Sequence, residues 1–273
     1  MTTSADTLAG FSKEPFTALG RTRDVYRTGE GPTVLVLSEI PGITPLVASF
    51  AREVASRGLS VTMPHLFGSD GAEPTTPRAL AAMARACVSR EFTMFATQKP
   101  SRVTQWLTVL AHHEHKRTGG PGVGVVGMCL TGGFALAMMV DPVVVAPVLS
   151  QPSLPVGLRS SSPARGDVGL SPTERAAVAA RAAAGVCVLG LRFTGDPLVP
   201  AERFSALRDL LGENFIGVEI DSSDGNPWGY RKGAHSVLTE DRGDDPTSPT
   251  YAALEQVLSF FGDRLTHSSP LGE

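Results

Sequence analysis

Gly122-Val-Gly-Val-Val-Gly-Met128 is a short apolar run rich in β-branched residues, and it leads straight into Cys129-Leu-Thr131-Gly-Gly133. The first part has the pattern of a strand buried on both faces, and the second opens a helical pattern that continues to Val140. A sharp strand-to-helix turn forces its apex residue into strained backbone angles and needs small neighbours so that nothing collides. The apex here is Cys129, with Gly127 before it and Gly132-Gly133 after it. Its side chain then stands at the carboxyl edge of the sheet, where open α/β folds bind ligands. The adjoining helix N-terminus carries a partial positive charge that favours the thiolate, the reactive form of cysteine. Most free cysteines are merely small buried hydrophobes. That reading suits Cys87, in a helical run, and Cys187, inside an apolar strand, whereas strand, turn and glycines together make Cys129 a candidate nucleophile.

Outward from this turn, short apolar runs alternate with longer helical patterns. Thr33–Ser38 and Leu59–Met63 read as strands, with a helix from Pro45 to Arg57 between them that Gly58 stops. Residues 77–98 and 101–117 read as helices, the second carrying Val103, Leu107 and Leu110 on one face. Further strands are expected at 143–149, 186–193 and 215–220, and further helices at 172–184, 201–211 and 250–262. This alternation predicts a mostly parallel sheet with helices on both faces. A single domain over 22–262 is expected, with 1–21 as an N-terminal extension and 263–273 as a loose tail. The Pro/Ser/Gly-rich stretch 150–172 reads as a long loop within that domain at the rim of an active site, a linker being the alternative.

The 273 residues suffice for a full core, and 42% hydrophobic with 19% charged residues is ordinary globular usage. A formal net charge of −3 provides no basic field for a phosphate backbone, so nucleic acid is not an expected partner. Gly, Pro or charge interrupts every apolar run short of the roughly 18 residues that a membrane span needs. Met1-Thr-Thr-Ser-Ala-Asp6 lacks the basic-then-apolar order of a secretory signal. The 3 cysteines fit neither a disulfide framework nor a zinc spacing, and a cytoplasmic, reducing location is expected. His112 and His115 share a helix face without a third ligand in sequence, so no metal site is assigned. The Gly-rich run 119–124 precedes a strand, whereas a phosphate-cradling loop follows one.

A nucleophilic cysteine needs a base, and the base an orienting group. Thr194-Gly-Asp196-Pro-Leu-Val-Pro200 follows the strand at 186–193, and Gly233-Ala-His235-Ser236 lies in a loop before the last helix. Taken alone, Asp196 could be a turn residue or helix cap, and His235 a surface histidine. The order Cys129, Asp196, His235 is nevertheless the chain order of nucleophile, acid and histidine in the α/β-hydrolase fold. Together with Ser38-Glu39-Ile40-Pro-Gly42, these motifs resemble the dienelactone hydrolase family over roughly residues 22–262.

The resemblance implies an α/β-hydrolase domain with a Cys129, His235 and Asp196 triad and no cofactor. It implies that Glu39 sits by the resting thiol and helps govern its proton, and that the backbone N–H groups of Ile40 and Leu130 form the oxyanion hole. Two positions depart from the family pattern. Thr131 stands two residues after the nucleophile, where glycine is commonest, and Thr239 stands where the family places an arginine for the substrate carboxylate. Arg90 and Arg231 are the candidates to supply that charge, and Trp228 is a candidate to line the pocket, with packing as its alternative. The expected activity is cleavage of an activated ester or small lactone through a thioester acyl-enzyme. A general carboxylesterase or thioesterase, or a non-catalytic ligand-binding member of the fold, are the alternatives.

Overall fold

Successive strand residues point to opposite faces of a sheet, and the core shows this directly: Leu35 and Leu37 pack on one side, Val34 and Val36 on the other. The structure is a computed structural model that describes residues 4–75, 101–154 and 165–266. Its strands are β1 (Ser12–Ala18), β2 (Arg21–Thr28), β3 (Thr33–Leu37), β4 (Ser60–Pro64), β5 (Val123–Met128), β6 (Val144–Ser150), β7 (Val188–Phe193) and β8 (Phe215–Ile220). They form one 8-stranded sheet in the order β1-β2-β4-β3-β5-β6-β7-β8. From β4 to β8 every pairing is parallel, while β1 and β2 are antiparallel additions at one edge.

The longer helices are α1 (Pro45–Ala55), α2 (Arg102–Thr118), α3 (Gly132–Met138), α4 (Pro172–Ala183), α5 (Ala201–Leu211) and α6 (Pro249–Leu265). α1 and α6 cover one face through Val47, Phe50, Val257 and Phe261, and the other helices cover the opposite face through Trp106, Phe134, Val178 and Phe204. Three of them begin alike, with Thr44-Pro45, Ser171-Pro172 and Ser248-Pro249. In each, the hydroxyl accepts an otherwise orphaned N–H, and proline takes a first-turn place where its missing N–H costs nothing. The fold is thus the α/β-hydrolase sheet expected from the sequence.

Two expectations change. No strand was expected before residue 33, yet β1 and β2 form a hairpin there, so residues 12–18 of the expected N-terminal extension belong to the sheet. Cys187 lies just outside β7 and is partly exposed rather than buried, its Sγ 3.5 Å from Asn214 Oδ1. The expected helix at 77–98, with Cys87 and Arg90, lies outside the described residues, as does most of the 263–273 tail. Among the described residues, no helix is long and apolar enough to cross a membrane.

Candidate active site

Cys129 follows β5 with φ of 57°, a left-handed backbone that L-residues other than glycine rarely adopt. It opens a single 3-10 turn, Cys129–Thr131, that runs into α3. The turn is tight enough that a Cβ on Gly127 would lie 2.1 Å from the Thr131 carbonyl oxygen, so only glycine fits there. Thr131, by contrast, has φ of −78° and ψ of −11°, which any residue adopts. Its buried hydroxyl accepts from the Met128 N–H at 2.8 Å and donates to the Leu37 carbonyl at 2.8 Å. The threonine therefore pins the turn to the end of β3, and its position makes no demand for glycine.

Register brings the remaining groups to the same edge. Leu37 pairs with Gly127, so Ile40 and Leu130 each lie three residues beyond that paired position, at the carboxyl ends of adjacent strands. Asp196 lies just past β7 and is 3% exposed; its Oδ1 accepts from the Leu198 N–H at 2.8 Å. The loop carrying it is held by Arg192, which donates to the Val199 carbonyl at 2.7 Å. It also packs tightly on the histidine loop, because a Cβ on Gly195 would sit 2.4 Å from the Lys232 carbonyl oxygen. Across that contact, His235 Nδ1 and Asp196 Oδ2 are 2.6 Å apart. The main chain of the histidine loop is fixed by Asp241, whose Oδ2 accepts from the N–H groups of His235 at 2.7 Å and Ser236 at 3.0 Å.

The other imidazole nitrogen, Nε2, is buried on the side of the Cys129 sulfur, which interacts with His235 by charge and as a hydrogen-bond acceptor. Burial opposes protonation of His235, but the charge of the Cys129 sulfur and the hydrogen bond to Asp196 outweigh it and hold the pKa well above its usual value. The sulfur lies 3.1 Å from Ser153 Oγ. Glu39 is 6% exposed, and its carboxylate accepts from Ser236 Oγ at 2.7 Å, from Gln151 Nε2 at 3.1 Å and from Thr239 Oγ1. Among the described residues these are the hydrogen bonds of the Glu39 side chain, which ties the surrounding loops together and makes no hydrogen bond to the thiol. Gln151, with φ of 39°, is itself fixed by a 2.8 Å bond from its N–H to the Leu191 carbonyl.

The structure thus brings Cys129, Asp196 and His235 to one edge, with Glu39, Ile40 and Leu130 beside them. Arg231 forms a two-pronged pair with Asp241, Nε to Oδ1 at 2.9 Å and Nη2 to Oδ2 at 3.0 Å, and so supports the histidine loop. Trp228 is 42% exposed, while its neighbour Tyr230 packs on Phe193. Sequence reasoning passed over Gln151, Ser153, Ser236 and Asp241. Ser236 had a signal, standing next to His235 in the motif, and Asp241 acts locally within the same loop, but Gln151 and Ser153 meet the site only through tertiary packing.

A parallel sheet of this order with a cysteine elbow and a downstream Asp–His pair at its carboxyl edge defines an α/β-hydrolase. Residues 21–265 match the model of the dienelactone hydrolase family, and the chain belongs to that family. It is accordingly a carboxylic ester hydrolase. No curated protein matches the sequence. Among solved structures, the chain is similar to DcsB in complex with its substrate analogue, at 12% identity and a TM-score of 0.61 over 94% of this chain and 100% of that one. It is similar to the Pyrococcus furiosus esterase Pf2001, at 13% identity and a TM-score of 0.59 over 97% of this chain and 96% of that one. It is also similar to P91, a dienelactone hydrolase-like promiscuous phosphotriesterase from metagenomic libraries, at 17% identity and a TM-score of 0.56 over 92% and 98%. At these identities the likeness is one of fold.

Proposed function

We propose that the chain is a cysteine-dependent hydrolase that opens an activated ester or small lactone through a thioester acyl-enzyme. The observation that carries this reading is a cysteine at a left-handed apex on the same sheet edge as a histidine held 2.6 Å from a buried aspartate. The Cys129 sulfur attacks the substrate carbonyl carbon, a C–S bond forms, and the carbonyl pair moves onto oxygen. The N–H groups of Ile40 and Leu130 receive that oxyanion; losing one such donor typically costs about 10²–10³ in rate. Collapse expels the alkoxide, which takes the proton of the His235 imidazolium. Water then attacks the thioester, His235 accepts its proton, and the electron pair of the broken C–S bond returns to sulfur. Asp196 holds the ring in the required tautomer and stabilises its charge.

A thiolate attacks well and is readily expelled, which suits substrates with good leaving groups. A reducing, cytoplasmic setting suits a catalytic thiol. The test is peptide mass mapping after brief mixing with an activated aryl ester and an acid quench. An acyl group on Cys129 alone is expected; a label spread over lysines, or none, overturns the reading.

Glu39 acts on the thiol through its charge. A nearby carboxylate disfavours a second anion, so Glu39→Gln is expected to move the pH profile of Cys129 alkylation to lower pH. An unchanged profile removes Glu39 from the handling of that proton.

A further inference from the structure

Building on the cysteine mechanism above, we propose that Ser153 is the hydrogen-bond donor that holds the anionic Cys129 sulfur between turnovers and receives it when the thioester breaks. Ser153 is 2% exposed and touches the nucleophile twice. Its N–H donates to the Cys129 carbonyl at 3.0 Å, and its Oγ lies 3.1 Å from Cys129 Sγ. The first contact sets the serine backbone in register with the elbow, so the second is built in rather than met by chance. The elbow's own backbone is held at φ of 57°, which fixes where the Cys129 Cβ stands relative to Ser153.

The chemistry of the two groups then assigns the direction of the bond. A serine hydroxyl has one hydrogen and can either donate or accept, whereas a thiolate only accepts. Once the sulfur is charged, Ser153 must be the donor. A hydrogen bond made to the charged form favours that form. The Glu39 oxygens, which the family resemblance places by the thiol, are taken up by Thr239, Ser236 and Gln151. The neutral hydroxyl of Ser153 therefore stands at the sulfur where a carboxylate was expected. During acylation the sulfur shares its pair with the carbonyl carbon and loses its charge, so the Ser153 bond weakens. During deacylation the C–S bond breaks, the pair returns to sulfur, and Ser153 donates to the leaving thiolate.

The two variants that isolate the hydroxyl are Ser153→Thr and Ser153→Val, which match in size. A cavity of about 10 Å³ beside Ser153, lined by Gly132, Pro152, Leu154 and Arg203, offers the added methyl group a water-sized space. Alkylation by iodoacetamide, mapped to Cys129 across pH, is the readout, with acyl-enzyme decay after an aryl ester pulse as the second. Ser153→Thr is expected to follow the native profile. Ser153→Val is expected to shift it upward by about one pH unit and slow decay about tenfold, the scale of one charge-assisted hydrogen bond. Coincident Thr and Val profiles overturn the proposal while leaving Cys129 as the nucleophile. If melting shows that neither variant folds, Ser153→Ala against the native protein decides on the same criteria. If the native protein forms no acyl-Cys129 at all, the cysteine mechanism fails, and the role of Ser153 with it.

Discussion

Cys129→Ala and Cys129→Gly both lose ester hydrolysis by on the order of 10⁶-fold, the scale met when a triad loses its nucleophile. They part company in stability. The apex backbone at φ of 57° is unfavourable for alanine as for cysteine, and costs roughly 1–2 kcal/mol relative to a right-handed residue. Glycine carries no such cost, although it loses more chain entropy on folding. Cys129→Ala should therefore unfold near the native midpoint in denaturant, and Cys129→Gly at or above it. A dead variant as stable as the native protein, or more so, is the signature of backbone strain kept for the position of one sulfur. Retained turnover of several esters in either variant would sink the triad, and a markedly destabilised glycine variant would refute the strain.

The second large effect lies far from that edge, at Glu114 on α2. Its side chain is fully buried and gathers Arg27 from β2 at 2.7 Å, Arg117 at 2.8 Å and the Thr62 hydroxyl of β4 at 3.1 Å. Burial alone raises a carboxyl pKa, but the hydrogen bonds and charges of Arg27 and Arg117 outweigh it and hold Glu114 below its ordinary value. Arg117 is 40% exposed and adds little through solvent, whereas Arg27 is only 10% exposed and is left with the exposed Glu14 carboxylate at 3.0 Å when Glu114 loses its charge. Glu114→Gln is therefore expected to cost about 3 kcal/mol, the low end of breaking a buried pair from one side, because Arg27 keeps Glu14 and the glutamine oxygen still accepts. A group whose folded pKa is depressed contributes stability above its unfolded pKa, about 4.3 for glutamate, and loses it as pH falls through the folded value. The gap between native and Glu114→Gln should be full at pH 7 and shrink below about pH 4. Urea midpoints at several pH values give the answer, and a gap constant with pH contradicts the account.

Most of the sheet was legible because its strands are fully buried and so read as unbroken apolar runs, as at Thr33-Val-Leu-Val-Leu37. The β1–β2 hairpin was hidden for the opposite reason. Its outer strand, Ser-Lys-Glu-Pro-Phe-Thr-Ala, is mostly solvent-facing and tolerates a proline only because it lies at an edge. The turn that joins the two strands is Leu19-Gly20, with φ of 51° and 72°. Both angles suit a two-residue hairpin, yet leucine conceals a signal that asparagine or aspartate would have given. At the candidate site, the backbone logic of strand end, glycine and turn could be read along the chain. Ser153 beside the sulfur and Gln151 beside Glu39 could not, because both lie in a Pro/Ser-rich stretch with no periodicity and reach the site only once β6 is threaded beside β5.

The Glu39 carboxylate, described above as a receiver of hydrogen bonds, joins chain segments that follow three different strands: its own after β3, Gln151 after β6, and Ser236 with Thr239 after β8. Side chains that share one acceptor do not act as independent variables. Removing any one donor changes what the remaining two gain from that same acceptor. Around this carboxylate the units open to adaptation are therefore combinations of residues rather than single positions, and a new specificity would have to be reached by coordinated replacement across loops that lie far apart in the chain.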